Sequence, residues 1–195
     1  MKIKRIATRS VLLLVVAELI LVLASWLLSA TMTEGVRSLL SDVGIRWFLG
    51  SFTTFIATPW LVRLLLLAMT AGCGWKSGIF RHTQMGYRER MGYRLVVIIL
   101  LFYTAAVAAL AVAPHAVLLS ATGQLFPSPF SRALLPIAAF GGILLSAAYG
   151  WAAGRFSTFS EIVDSLSFGI SKAALIIVLY LVAILFYESL RFVFI

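Results

Sequence analysis

The sequence predicts an all-α integral membrane protein, with about five transmembrane helices and an outer amphipathic interfacial helix. Hydrophobic residues fill 62% of the 195 positions, charged residues fill only 12%, and the mean hydropathy is +1.06. A water-soluble domain averages about half apolar and about a quarter charged residues. A soluble fold this apolar would expose large hydrophobic patches and aggregate. We therefore expect a single transmembrane domain over residues 1–195, with the lipid bilayer as its surroundings.

Five apolar segments have the length of about 20 residues that a helix needs to cross about 30 Å of hydrocarbon. They lie at about 11–30, 58–75, 95–113, 134–154 and 173–193. The first segment follows a basic start, which is also typical of a cleaved signal peptide. Its apolar stretch is longer than the middle region of such peptides, so we favour a membrane helix.

Two shorter helices are expected between the spans. Within about 36–50, apolar residues recur at helical spacing with polar ones between them, namely at Leu39, Leu40, Val43 and Trp47. This segment is too short and too charged to span, so we expect it in the outer interface, with Trp47 at headgroup depth. A second helix is expected over about 157–171, with Ser157 or Ser160 as its N-cap and Glu161 in its first turn.

The distribution of basic residues predicts the orientation. With the N-terminus inside, eleven basic residues fall on inner segments: Lys2, Lys4, Arg5, Arg9, Lys76, Arg81, Arg88, Arg90, Arg94, Arg155 and Lys172. Four fall on outer segments: Arg37, Arg46, Arg132 and Arg191. Because cytoplasmic loops carry the excess of Lys and Arg, we expect a multi-pass protein of the bacterial inner membrane with a cytoplasmic N-terminus and a periplasmic C-terminus.

The sequence lacks the residue patterns that several classes of function require. The net charge of +9 is explained by topology, and no nucleic-acid-binding motif accompanies it. One cysteine, Cys73, and two distant histidines, His82 and His115, have no metal-ligand spacing. Glu161 and Asp164 share a helix face, where they are expected to compensate the helix dipole. Since no catalytic constellation or phosphate loop is found, we expect neither an enzyme nor a cofactor or metal site.

Small residues predict where helices approach one another. The fourth span carries them at every fourth position, at Ala138, Gly142, Ser146, Gly150 and Gly154. The third span has a similar row at Ala105, Ala109 and Ala113. Apolar helices in lipid associate through close contact at small residues. We expect these two faces to pack on each other or on a second copy of the chain.

Three charged residues lie within spans, where such residues suggest function by default. Arg63 enters from the outer side by about 8 Å, and Glu188 lies at comparable depth. They are expected either to face each other or to reach separately to the outer headgroups. Glu18 lies about 12 Å from the inner surface. It could be protonated, bonded to a neighbouring helix, or part of a proton path.

Two ordered blocks of residues resemble the p-aminobenzoyl-glutamate transporter (AbgT) family. The first runs from Ser38 to Trp47 and includes Asp42, Gly44, Arg46 and Trp47; residues 52–55 and 76–78 continue it. The second contains Ser128, Pro129 and Phe130, followed by 135–137, Tyr149, Gly150, Gly154 and Asp164. Together the blocks touch about half of the chain. The resemblance implies an AbgT-like scaffold.

Members of that family are longer and use sodium- or proton-coupled transport, with substrate held by re-entrant hairpins. No residue of this chain matches the substrate-binding positions of those hairpins. We therefore expect a reduced scaffold or subunit protein that assembles with itself or with another membrane protein, its small-molecule substrate being unknown. The alternative is a small oligomeric or split transporter or channel, in which Glu18 lines a proton or ion path.

Overall fold

The computed structural model describes residues 2–31, 35–80, 86–112 and 129–195, and regular secondary structure in these ranges is entirely helical. Six helices follow one another: α1 (Lys2–Ala30), α2 (Asp42–Ile56), α3 (Pro59–Ser77), α4 (Tyr87–Val112), α5 (Pro129–Ala152) and α6 (Phe159–Phe194).

Five helical segments in the described residues are long and apolar enough to cross a membrane: Arg5–Ala30, Asp42–Ser77, Tyr87–Leu110, Ala133–Ala152 and Phe159–Phe194. The second of these segments, Asp42–Ser77, includes both α2 and α3. For the described residues, this confirms the all-helical fold class with five candidate membrane spans.

Three helices extend well beyond the apolar runs that predicted them. Helix α1 begins at Lys2, before the expected start at 11. Helix α4 begins at Tyr87, before the expected start at 95, and Glu89 in its first turn accepts a hydrogen bond from the N–H of Gly86. The expected short helix at 157–171 is not separate, because α6 runs unbroken from Phe159. At about 54 Å, α6 is longer than the hydrocarbon is thick, so polar residues need not interrupt it.

The start of α6 also differs from its prediction. Ser160 lies inside the helix, while Ser157 and Thr158 precede it. The carboxylate of Glu161 accepts the backbone N–H of Ser157 at 2.6 Å and that of Thr158 at 3.4 Å. Glu161 is the third residue of α6, and in a capping box the side chain at this position accepts the backbone N–H of the N-cap residue. The N-cap of α6 is therefore Thr158.

Helix α2 begins at Asp42, not near 36, because Ser41 caps it by accepting the N–H of Gly44 at 3.1 Å. It ends at Ile56, three residues before Pro59, since the residue preceding a proline avoids helical geometry. Trp47 of α2 stacks on Phe192 of α6, and the expected position of α2 in the outer interface stays a prediction.

The chain divides into two compact units. Unit 1 comprises Met1–Val62 with Ala173–Ile195, and unit 2 comprises Arg63–Lys172. In unit 1, α1 runs parallel to α6, since Glu18 meets Ser189 and Leu21 clusters with Phe192. Helix α2 runs antiparallel to α6, since Trp47 stacks on Phe192 while Thr58 hydrogen-bonds to Tyr180.

Unit 2 is held together by aromatic, hydroxyl and small residues. Tyr103 of α4 donates a hydrogen bond to the Ile137 carbonyl of α5 at 2.7 Å. Tyr149 of α5 is 1% exposed and packs edge-on against Tyr93, with ring centroids 5.1 Å apart. Thr70 of α3 donates a hydrogen bond to a backbone carbonyl of α5. Because hydrocarbon contains no water to act as a partner, hydroxyl groups in membrane helices form hydrogen bonds to neighbouring helices.

Candidate functional site

Glu18 of α1 is bound by a neighbouring helix in unit 1. The hydroxyl of Ser189 in α6 donates a hydrogen bond to Oε1 of Glu18 at 2.6 Å, and Ser189 is buried. Of the three alternatives for Glu18, the structure shows the bond to a neighbouring helix. Ser189 has no signal in the sequence, because a lone serine in an apolar span forms no pattern of its own.

The second oxygen of Glu18, Oε2, differs from the first in its surroundings. Oε2 is buried, and no hydrogen-bond donor among the residues that the structure describes reaches it. A buried polar atom without a partner costs free energy, so its persistence calls for an explanation. Because Oε1 is fixed by Ser189, the carboxyl group cannot rotate freely to satisfy Oε2.

A groove of about 300 Å³ lies over Glu18 in unit 1. Apart from Glu18, the described residues that line it are apolar: Val22, Leu39, Leu40, Ile45, Phe48 and Leu49. These residues come from α1, from the segment that joins α1 to α2, and from α2 itself. A concave apolar surface with one polar group is typical of small-ligand sites.

Backbone hydrogen bonds hold the segment before α2 in place over the groove. The N–H of Arg37 donates to the carbonyl of Val193 in α6 at 3.0 Å. The N–H of Leu39 donates to Oγ of the buried Ser25 in α1 at 3.2 Å. The segment is therefore tied to both helices that carry the Glu18–Ser189 pair.

The first block of the family resemblance builds the start of α2. A methyl group at Gly44 would collide with the backbone carbonyls of Ser38 and Leu39, so only glycine fits there. Trp47 stacks on Phe192, with ring centroids 4.2 Å apart. These residues position the α2 wall of the groove.

Asp42 and Arg46, which also belong to the first block of the family resemblance, are not among the described residues that line the groove. Asp42 begins α2 and Arg46 follows one turn later, and both are exposed. In the second block, Ser128 lies outside the described residues, while Pro129 and Phe130 begin α5.

Glu188 of α6 lies 4.0 Å from Arg191, one turn onward in the same helix. Arg63 begins unit 2, whereas Glu188 belongs to unit 1. The pairing of Arg63 with Glu188 therefore stays a prediction.

The middle of the small-residue row of α5 faces α3. A methyl group at Gly142 would collide with Thr70, and one at Gly74 would lie 3.6 Å from Oγ of the buried Ser146. Ala138, at the start of the row, is exposed. The middle of the row thus packs within the chain, but on α3 instead of the alanine face of α4.

The two C-terminal members of the row have other roles. Gly150 is covered by the ring of Phe156, with which a methyl group would collide. Gly154 lies beyond the end of α5 with φ +73°, and its N–H bonds to the Trp151 carbonyl at 3.0 Å. A glycine in this left-handed conformation is a common helix stop, so Gly154 terminates α5 and does not extend its packing face.

The alanine face of α4 is uncovered in the part that the structure describes. Ala105 and Ala109 are exposed, whereas Tyr103 and Gly141 make the contact between α4 and α5. Ala113, the third residue of this face, lies outside the described residues. The predicted packing of this face on the α5 row is therefore wrong for Ala105 and Ala109, and a second copy stays a prediction.

A contact that the sequence did not predict joins α3 to α6. A methyl group at Gly72 would collide with the backbone of Gly169, and one at Gly169 with the carbonyl of Ala68. The available signal was a pair of small residues four apart in each helix, Ala68 with Gly72 and Ser165 with Gly169.

No family model, curated protein or solved structure matches the chain. Across the described ranges, no three His, Cys, Asp or Glu side chains group closely enough to hold a metal ion.

Proposed function

We propose that this chain is a non-enzymatic scaffold or subunit of the bacterial cytoplasmic membrane, assembling with itself or with another membrane protein. The excess of basic residues on inner segments supports a cytoplasmic N-terminus and a C-terminus on the opposite side. The sequence resemblance of the first block, from Ser38 to Trp47, supports an AbgT-like but reduced scaffold.

The exposed alanine face of α4 carries the proposal of assembly. Tyr103 contacts α5, and Ala105, two positions later, is turned by about 200° at 3.6 residues per turn. Ala105 and Ala109 therefore lie on the side of α4 away from α5. Because close approach at small residues drives helix association in lipid, this face suits a second helix.

The test replaces Ala105 and Ala109 together by leucine and counts subunits by native mass spectrometry after extraction in mild detergent. We expect the assembled species to fall to monomer while the helical content by circular dichroism is retained. Ala174→Leu is the matched control, since Ala174 is an exposed alanine in α6. An unchanged subunit number in the double variant would remove the support for assembly through α4.

A second candidate function is favoured by one specific observation. Oε2 of Glu18 is buried beside a groove with no hydrogen-bond partner from the described part of the chain, as in a site that exchanges a proton or cation. A small transporter or channel would then carry proton or sodium flux in liposomes, and Glu18→Gln would abolish it. Equal flux for the variant and the native chain would exclude this role for Glu18.

A further inference from the structure

We propose that the groove over Glu18 is a binding site for a lipophilic amine, with the ammonium group on Oε2 of Glu18 and the hydrocarbon chain along α2. This binding requires neither assembly nor transport. Its basis is the joint geometry of a cavity, a fixed carboxyl group and an apolar wall, all within unit 1.

The carboxyl group sets the chemistry of the ligand head. Oε1 is already engaged by Ser189, and the buried Oε2 faces no donor among the described residues. A ligand that brings an N–H donor with positive charge satisfies Oε2 and neutralises the carboxylate together. Charge-assisted hydrogen bonds of this kind are roughly twice as strong as neutral ones.

The donor set argues against a metal ion as occupant. Calcium takes six to eight oxygen ligands, and magnesium takes six in near-octahedral geometry. Among the lining residues that the structure describes, only Glu18 carries a carboxyl group, and the other side chains are hydrocarbon or aromatic. An organic cation needs one counter-charge and an apolar surface, which is what the groove provides.

The apolar wall sets the body of the ligand. Leu39 and Leu40 lie on one part of the wall, and Ile45 and Phe48 on another. Since burial of apolar area contributes about 25 cal/mol per Å², an alkyl chain gains free energy along this wall. The volume of about 300 Å³ lies at the small end of ligand sites, which favours a short single chain.

The test measures binding of radiolabelled n-octylamine to the full chain in phosphatidylcholine nanodiscs, with binding to empty nanodiscs subtracted. We expect saturable binding that Glu18→Gln weakens about tenfold or more, the change typical of a lost hydrogen bond to a charged group. Glu188→Gln is the matched control, because it removes a carboxylate from the same unit without touching the groove lining. It should bind like the native chain.

A second variant keeps the proposal testable if Glu18→Gln does not fold. Ile45→Trp fills the groove from an exposed position of α2 and keeps the carboxyl group, and it should weaken octylamine binding by a similar factor. Unlabelled 1-octanol has the same chain without the charge and should compete poorly.

Three results would overturn the proposal: octylamine binding that Glu18→Gln leaves unchanged, competition by octanol as strong as by octylamine, or no saturable binding to the native chain. The last result is expected if the groove instead receives a basic side chain from a partner helix.

Discussion

Gly72 of α3 and Gly169 of α6 lie with their backbones in contact, so that a methyl group on either one collides with the opposite helix. Ala68 and Ser165 precede them by one turn, which gives each helix a pair of small residues four positions apart. Such pairs allow two backbones to approach closely in lipid and gain dispersion energy along the contact. This crossing fixes α3 against α6 within unit 2.

Gly169→Ala should destabilise the protein, because the added methyl group meets the Ala68 carbonyl and the Gly72 backbone, which cannot rotate away. Overpacking of this kind costs about 1–3 kcal/mol. Thermal unfolding in mild detergent measures the loss. Gly50→Ala is the control, since nothing lies within 4 Å of a methyl group there, and it should be neutral or stabilising by up to about 1 kcal/mol.

A melting temperature for Gly169→Ala equal to that of Gly50→Ala would show that the α3–α6 crossing is looser than the structure describes. Gly72→Ala offers a second measurement on the opposite helix.

The sequence predicted the spans because hydrocarbon thickness imposes a local requirement that each apolar run meets by itself. It failed where helices continue past the apolar run. The start of α4 at Tyr87 and the unbroken α6 both contain polar residues that the hydrophobic pattern excluded. Polar residues stop an apolar pattern but do not stop a helix, whose ends depend on caps such as Glu161.

The candidate site was predicted in part. Glu18 was recognised because a carboxyl group in an apolar span is unusual, and Gly142 and Ser146 were recognised because small residues repeat along one face. Their partners were not, since Ser189 and Thr70 lie on other helices. Which faces meet depends on long-range packing, and no periodicity within one helix records it.

Ser189→Ala should weaken unit 1 by removing the donor to Oε1 of Glu18. Interhelical hydrogen bonds in membranes contribute about 0.6 kcal/mol on average and up to about 1.7 kcal/mol. A double-mutant cycle with Glu18→Leu, followed by unfolding in detergent, isolates the coupling between the two side chains. We expect a coupling near the upper value, because both groups are held within helices. Strictly additive single and double variants would contradict a direct bond.

Tyr103→Phe should lower stability by about 0.5–1.5 kcal/mol, since it removes the hydrogen bond to the Ile137 carbonyl but keeps the ring over Gly141. The control is Tyr87→Phe, because Tyr87 is 84% exposed at the start of α4. Unfolding of both variants under the same conditions separates the hydrogen bond from a general effect of losing a phenolic hydroxyl. A larger loss in Tyr87→Phe would contradict the α4–α5 contact.

Glu89 and Arg155 form an ion pair, with 3.1 Å between Oε1 and the guanidinium nitrogen, that ties the start of α4 to the residues after α5. Both side chains are partly exposed, at 22% and 30%, so the pair should contribute no more than about 1 kcal/mol. Glu89→Gln preserves the shape and the acceptor for the Gly86 N–H but removes the charge.

The loss of stability in Glu89→Gln should therefore shrink as salt rises, because ions screen partly exposed charges. Asp164→Asn removes the same charge from an exposed position of α6, where the described residues include no ion-pair partner for it, and should show little loss at either salt concentration. Melting temperatures at low and high sodium chloride measure both variants. A loss in Glu89→Gln that is independent of salt would mean that the side chain acts by packing or by capping α4, not through its charge.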